Sequence, residues 1–343
     1  MTAIKTALVG FGISGQSFQA PIIEALKEFE LTSVVSSNPA KVKGQLPDAA
    51  VYASLEELLE KGDEELVVIA TPNELHGPFA EKALRAGKHV VVEKPFTIES
   101  AEGERIAALA QEFGQKLSIY HSRRFDGDYL TIKRLMNEGQ LGTVHTLFSS
   151  YNRFRPEVKV RWREQDIPGA GILYDLGSHL IDQAVSLFGV PQAVTAKLRQ
   201  QRPGAQAVDH FHICLAYEGC DVIVHGNNLS TAEGPRFQVF GTKGAFIKYG
   251  MDTQEDLLRE LKGPGSDGWG EDPQARWGEF TDSEGKTVSV PTERGGYEQF
   301  YLEMAAAIRS DAPVPVEPRQ AIATIKIIEA AYESSAANRT VFL

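Results

Sequence analysis

Cysteine is nearly absent: the 343 residues contain two, Cys214 and Cys220. Two thiols cannot build a disulfide framework, and with no paired ligands beside them they make a poor zinc site. No apolar run approaches the roughly 18 residues that a membrane-spanning helix needs. The chain enters strand-like sequence at once, so a secretory signal is not expected. Basic charge is also short, with 35 Lys and Arg against 46 Asp and Glu for a net charge of −11. A negative field over the whole chain repels nucleic acid and anionic membrane. At 42% hydrophobic and 24% charged residues, the composition excludes disorder and a coiled coil. These shortages lead to the expectation of a cytoplasmic protein of about two domains, without structural metal and without nucleic-acid or membrane partners.

What is present alternates. Strand-like segments at 4–9, 31–35, 66–70, 89–92 and 116–120 are separated by helical patterns. One helix follows the first strand to about residue 29, and others cover 54–61, 74–86 and 99–113. Gly87 and Gly114 end two of them. Short apolar strands alternating with helices predict a doubly wound parallel sheet. After residue 122 the rhythm changes. Helical patterns at 128–138 and 173–188 frame a strand at 143–152. Segments at 193–200, 211–217, 221–227, 236–240 and 245–249 follow, and 263–278 reads as a long loop. Phe211, Ile213 and Leu215 alternate with His212 and Cys214, the pattern of antiparallel strands covered on one face. His210 and His212 read as sheet-surface residues. The expected fold is α/β: a Rossmann-like parallel sheet at 1–122, then an α+β domain at 123–343 with a large, mostly antiparallel open sheet. Helices at 297–310 and 320–338 would return to the first domain or its junction. The open face calls for a cover, and a second copy in a homodimer or homotetramer is the expected one.

Gly10-Phe11-Gly12-Ile13-Ser14-Gly15 follows the first strand directly. In this motif the first glycine permits the tight turn, the second lets a pyrophosphate approach, and the third allows close packing of helix on strand. The helix N-terminus beyond presents free N–H groups to phosphate. Dinucleotide binding is therefore expected. NAD sites commonly carry a carboxylate at the end of the second strand, but here the chain reads Val35-Ser36-Ser37-Asn38-Pro39-Ala40-Lys41, with no acid between Glu30 and Asp48. Ser36, Ser37, Asn38 and Lys41 can receive a 2′-phosphate without like-charge repulsion. NADP is the expected cofactor, with NAD as the alternative.

Hydride transfer from an alcohol carbon needs a base for the hydroxyl proton, and histidine suits this near neutral pH. His179 stands four residues after Asp175, so a helix places both on one face. Gly177 between them would leave room for a ligand, since an interior glycine costs a helix about 1 kcal/mol relative to alanine. Lys94, after the strand at 89–92, occupies the loop position where ligands bind parallel sheets and can favour a developing alkoxide. Read from spacing alone, the Asp175–His179 pair is equally a stabilising helix pair, and Lys94 an ordinary solvated lysine. Arg153, Arg155, Trp162 and Arg163 form a basic-aromatic cluster that suits either a substrate pocket or a subunit interface.

These motifs carry a resemblance. A-L-V-G-F-G-I-S-G at 7–15, A-T-P-N-E-L-H at 70–76, A-G-K-H-V-V-V-E-K-P-F at 86–96, D-L-G-S-H-L-I-D at 175–182 and Gly296-Tyr297 make the chain similar to the glucose–fructose oxidoreductase, inositol dehydrogenase and rhizopine catabolism protein family, over nearly its whole length. The resemblance implies hydride transfer between a sugar or inositol-like polyol and a nicotinamide dinucleotide. It assigns catalytic roles to Lys94, Asp175 and His179. It also implies that Thr71, Pro72, Asn73, His76, Glu93 and Lys94 line the cofactor's path, and that Arg124, Trp162, Arg163, Asp175 and His179 serve the substrate. Ser122 stands where many relatives have asparagine, which leaves that contact in doubt. Reduction of an imine, biliverdin-like or other unsaturated substrate is the rival enzymatic reading, and a non-catalytic dinucleotide sensor is the other.

Overall fold

The computed structural model describes residues 2–343, and among these the chain divides into two compact units. The first takes the chain up to Phe125 together with Thr253–Trp269 and Gly296–Ile322; the second takes Asp126–Asp252, Gly270–Gly295 and Ala323–Leu343.

In the first unit, among the described residues, six strands form one sheet: β1 (Ile4–Val9), β2 (Phe29–Val35), β3 (Ala50–Tyr52), β4 (Leu66–Ile69), β5 (His89–Glu93) and β6 (Leu117–Tyr120). All pairings are parallel, in the order β3-β2-β1-β4-β5-β6. Leu66, Val67, Val68 and Ile69 are wholly buried, as a strand covered on both faces must be. The winding reverses between β1 and β4, and ligands of such sheets bind outside the carboxyl ends of the strands at that reversal.

Two local expectations need correction. The helix after the glycine turn does not reach residue 29: a π-helical turn, Ser14–Gln19, passes into the short α-helix Ala20–Glu24, and β2 already begins at Phe29. Phe29 pairs with Ile4 and sets its ring edge-on to Tyr301 at 5.5 Å, so tertiary pairing overrides the local helical pattern. The connecting stretch after Val35 holds a helix, Pro39–Gln45, and β3.

In the second unit, among the described residues, nine strands form the other sheet: β7 (Val144–Asn152), β8 (Ala193–Arg199), β9 (His210–Tyr217), β10 (Cys220–Asn227), β11 (Pro235–Gly241), β12 (Gly244–Tyr249), β13 (Gly278–Asp282), β14 (Thr287–Val290) and β15 (Val341–Phe342). Their order is β14-β13-β12-β11-β7-β10-β9-β8-β15. Every pairing is antiparallel except that of β7 with β10. The strands β13 to β15 are short, which hid them from pattern reading, and β13 begins where the expected long loop was to end. Phe211, Ile213, Leu215, Val222 and Val224 are fully buried on one face, against which the helix Ser178–Phe188 packs.

The other face carries Phe148 and Phe240, edge to face at 6.4 Å, and three histidines. The His225 ring lies 5.3 Å from His210 and 5.6 Å from His212, centroid to centroid. Burial, reinforced by His210 and His212, pushes His225 down to about 4. Burial also lowers His210, with the Arg199 and His212 charges adding to it.

An unfolded histidine titrates near 6.5. His225 is therefore neutral in both states above about pH 6.5, and its contribution to stability is complete there. As the pH falls from about 6.5 towards 4, the unfolded chain takes the proton first and that contribution is lost. The wild-type Tm is expected to fall across this window, and that of H225Q to fall less. Parallel slopes in thermal melts of the two proteins would show that the loss arises elsewhere.

Candidate functional site

The glycine turn in the first unit has the geometry that a pyrophosphate requires. Gly10 has φ +98°, and a Cβ there would lie 2.5 Å from the Ala70 carbonyl oxygen. A Cβ on Gly15 would fall 2.1 Å from the Gly10 carbonyl oxygen, so helix and strand touch through bare backbone. At Gly12 an added Cβ meets nothing within 4 Å, which leaves room for a phosphate to approach. Phe11 is buried beneath the turn, Ile13 is exposed at 64%, and Ser14 is half-buried. Thr71 follows β4 beside Gly10, and its buried hydroxyl oxygen makes no hydrogen bond among the described residues. An open cradle and an orphaned polar atom at the sheet reversal fit a dinucleotide.

At the end of β2, Ser36 Oγ accepts from the Asn38 N–H at 3.1 Å, and Asn38 Oδ1 accepts from the Lys41 N–H at 3.0 Å. Asn38 thereby caps the helix Pro39–Gln45, while Ser37 is exposed. Lys41 Nζ donates to the Phe11 carbonyl at 2.9 Å, which brings its ammonium to the rim of the glycine turn.

Glu93 closes β5 and is 8% exposed. Its carboxylate accepts from Ser14 Oγ, from Gln19 Nε2 at 2.6 Å and from the Lys94 N–H at 3.2 Å. The Tyr301 hydroxyl donates to Gln19 Oε1. One carboxylate thus links the glycine turn to the lysine loop. Lys94 is half-buried, its bond to Pro95 is cis, and it lies within electrostatic reach of Glu255, whose carboxyl is held down mainly by Arg123 and Arg259 against the upward pull of burial. His76 is buried, with Nδ1 at 2.7 Å from the Pro95 carbonyl and Nε2 at 3.0 Å from that of Thr71. Burial lowers its pKa, and the ring ties the β4 loop to the lysine loop. Pro72 is exposed and Asn73 buried at the start of the next helical turn. Arg124 Nη1 donates to Gln320 Oε1 at 2.9 Å within the same unit.

Asp175 and His179 belong to the second unit. The segment Leu173–Gly177 is a π-helical turn that leads into the α-helix Ser178–Phe188. The α-helix expected from residue 173 therefore begins later, with Asp175 on the wider winding before it. Asp175 is half-buried and His179 is 7% exposed. Gly177 needs a second correction. It is buried, and a Cβ there would meet Leu173 Cδ1 at 2.6 Å and Phe211 Cζ at 3.5 Å. Packing fills the space that was expected to admit a ligand.

The stretch after β7 is an arm of irregular chain. Trp162 and Arg163 lie on a single turn, Trp162–Glu164, with the exposed Arg163 guanidinium 5.0 Å from the Trp162 ring centroid. Arg202, with its side chain 2% exposed, anchors the arm. Its Nε donates to Asp209 at 2.9 Å, Nη2 to Glu164 at 2.5 Å, and Nη1 to the carbonyls of Glu157 at 3.0 Å and Arg155 at 3.3 Å. Arg153 is half-buried, and its Nε donates to the Oδ1 of buried Asn228 at 2.7 Å. Sequence reasoning missed Gln19, Tyr301, Arg202 and Asn228. Gln19 lies four residues beyond Gly15 on the motif's own turn and was the most accessible of them; the partners of the others are visible only in three dimensions.

No helix among the described residues is long and apolar enough to cross a membrane, and no group of three or more His, Cys, Asp or Glu among them is placed to hold a metal ion.

Two family models cover most of the chain. The NAD-binding Rossmann fold of the Gfo/Idh/MocA oxidoreductase family matches residues 4–121, and that family's C-terminal alpha/beta domain matches residues 133–343. The chain is 44% identical to scyllo-inositol 2-dehydrogenase (NADP(+)) IolW of Bacillus subtilis (strain 168), over 99% of this chain and 96% of that protein. It is 42% identical to the uncharacterized oxidoreductase YdgJ of Escherichia coli (strain K12), over 99% of each. The solved structure of the oxidoreductase yvaA from Bacillus subtilis superposes with a TM-score of 0.97 at 44% identity, covering 100% of this chain and 99% of that one. With both of its domains matched along nearly all of its length, the chain belongs to the Gfo/Idh/MocA family of oxidoreductases.

Proposed function

We propose that the protein is an NADP-dependent dehydrogenase of inositol-like polyols or related sugars. The observation that carries this reading is the full-length likeness to a scyllo-inositol 2-dehydrogenase that uses NADP, in a chain holding Lys94, Asp175 and His179. Lys41 at the rim of the glycine turn, with no carboxylate at the end of β2, supports the 2′-phosphate.

When bound, the dinucleotide supplies the hydride acceptor. The chain's own groups do the rest. Gly10, Phe11, Gly12, Ile13, Ser14 and Gly15 hold the pyrophosphate. Ser36, Ser37, Asn38 and Lys41 receive the 2′-phosphate, and Thr71, Pro72, Asn73 and Glu93 border the cofactor. Lys94 Nζ donates to the reacting hydroxyl oxygen and favours its negative charge. His179 accepts the hydroxyl proton at its imidazole, and Asp175 orients imidazole or substrate. Trp162, Arg163 and Arg124 complete the proposed substrate contacts. A second copy on the open sheet face, where Phe148, Phe240 and Ile223 gather, would give the homodimer or homotetramer.

A panel of polyols with NADP⁺, and of carbonyls and imines with NADPH, tests the reading. Turnover confined to polyols and their ketones supports it, and turnover confined to imines overturns it. K94A is expected to lower kcat by about 10²–10³-fold, the usual cost of removing one donor to a developing oxyanion, with NADP affinity unchanged in a fluorescence titration. Wild-type turnover in K94A would remove the lysine from the chemistry. K41A is expected to raise the KM for NADP about tenfold or more, as loss of a hydrogen bond to a charged group does. Its KM for NAD should stay within about twofold, and equal effects on both cofactors would assign the 2′-phosphate elsewhere.

A further inference from the structure

Two buried or half-buried arginines of the second unit differ in how their donors are used. Arg202 engages Nε, Nη1 and Nη2 with two carboxylates and two carbonyls, as a structural strut does. Arg153 engages only Nε. Both terminal nitrogens of its guanidinium donate to no protein group among the described residues.

The side chain is nevertheless well fixed. The Arg153 N–H donates to the Asn227 carbonyl at 3.0 Å, and its own carbonyl accepts from Ser230 at 3.2 Å. Asn228, which holds Nε, is 2% exposed and donates its backbone N–H to the Asp209 carbonyl at 3.2 Å. The main cost of ordering a long side chain is therefore met before any ligand arrives. Burial, then the charge of Arg155, disfavours the cationic form of Arg153, and the Asp175 carboxylate opposes them. The terminal nitrogens of this half-buried guanidinium are thus open to solvent and to a bound molecule.

We propose that Arg153 is a substrate-binding, specificity-determining residue whose terminal nitrogens grip two adjacent oxygens of the substrate. The assignment rests on the polyol reading given above and names the group that reads a vicinal diol. The planar fork suits two neighbouring oxygens, whereas a lysine ammonium is a single point charge. Donors from Arg153 and acceptors from Asp175 together match hydroxyl groups, which both give and take hydrogen bonds.

The test compares the full-length wild type, R153M and R153K with scyllo-inositol and with an analogue lacking one hydroxyl next to the oxidised carbon. R153M is expected to raise the KM for scyllo-inositol at least about tenfold while NADP⁺ binding and Tm hold. It should also lose most of the wild type's discrimination against the deoxy analogue. R153K should recover less than half of that discrimination. An unchanged KM in R153M, or full recovery in R153K, overturns the assignment. Should R153M fail to fold, R153K alone decides by the same readout. Where the wild type oxidises no polyol but reduces an imine, the polyol reading fails on its own. The variants are then assayed on that imine: an unchanged KM overturns the role of Arg153, and a raised one retains it as a substrate contact.

Discussion

A single buried carboxylate organises the cofactor side of this protein. Glu93 accepts hydrogen bonds from Ser14 and Gln19 on the turn after β1 and from the backbone of Lys94. A buried carboxyl group is tolerated only with such hydrogen-bond partners, so the arrangement is mutually enforcing. The turn cannot shift without stranding the carboxyl oxygens, and the lysine loop cannot shift without releasing the turn. Tyr301 extends the same constraint by fixing Gln19 from a helix 282 residues further along the chain. His76 closes it from the other side through the carbonyls of Thr71 and Pro95. The loops that leave β1, β4 and β5 therefore form one rigid rim.

Much of this was legible in the residues. Glycines at 10, 12 and 15 after an apolar strand carry their steric roles in their spacing, and the structure gives each the expected surroundings. Alternation at Phe211, Ile213 and Leu215 separated the covered face of the second sheet from the other. Other features were not legible, for physical reasons. Periodicity assumes 3.6 residues per turn, so it cannot detect the π-helical turns at Ser14–Gln19 and Leu173–Gly177. Gly177 looked like a gap because a missing side chain does not say what fills its place; Leu173 and Phe211 do. Phe29 looked helical because its strand partner, Ile4, lies 25 residues earlier. The hydrogen bonds of Arg202 and Asn228 join segments whose proximity only the sheet creates.

Both π-helical turns coincide with the motifs that drew attention as chemistry. This wider winding is uncommon and recurs at functional positions, and here it falls on the glycine turn and on the Asp175 segment. The charge distribution is equally uneven. A chain of net −11 gathers Arg153, Arg155, Arg161 and Arg163 within one arm, where Glu164 and Asp175 only partly offset them.

The way Arg202 holds this arm bears on how relatives could diverge. Two of its hydrogen bonds go to the backbone carbonyls of residues 155 and 157, and every amino acid supplies a carbonyl. The path of the arm is therefore largely independent of which side chains decorate its outer surface. Exposed positions of the arm can thus be changed while the scaffold beneath them stays in place.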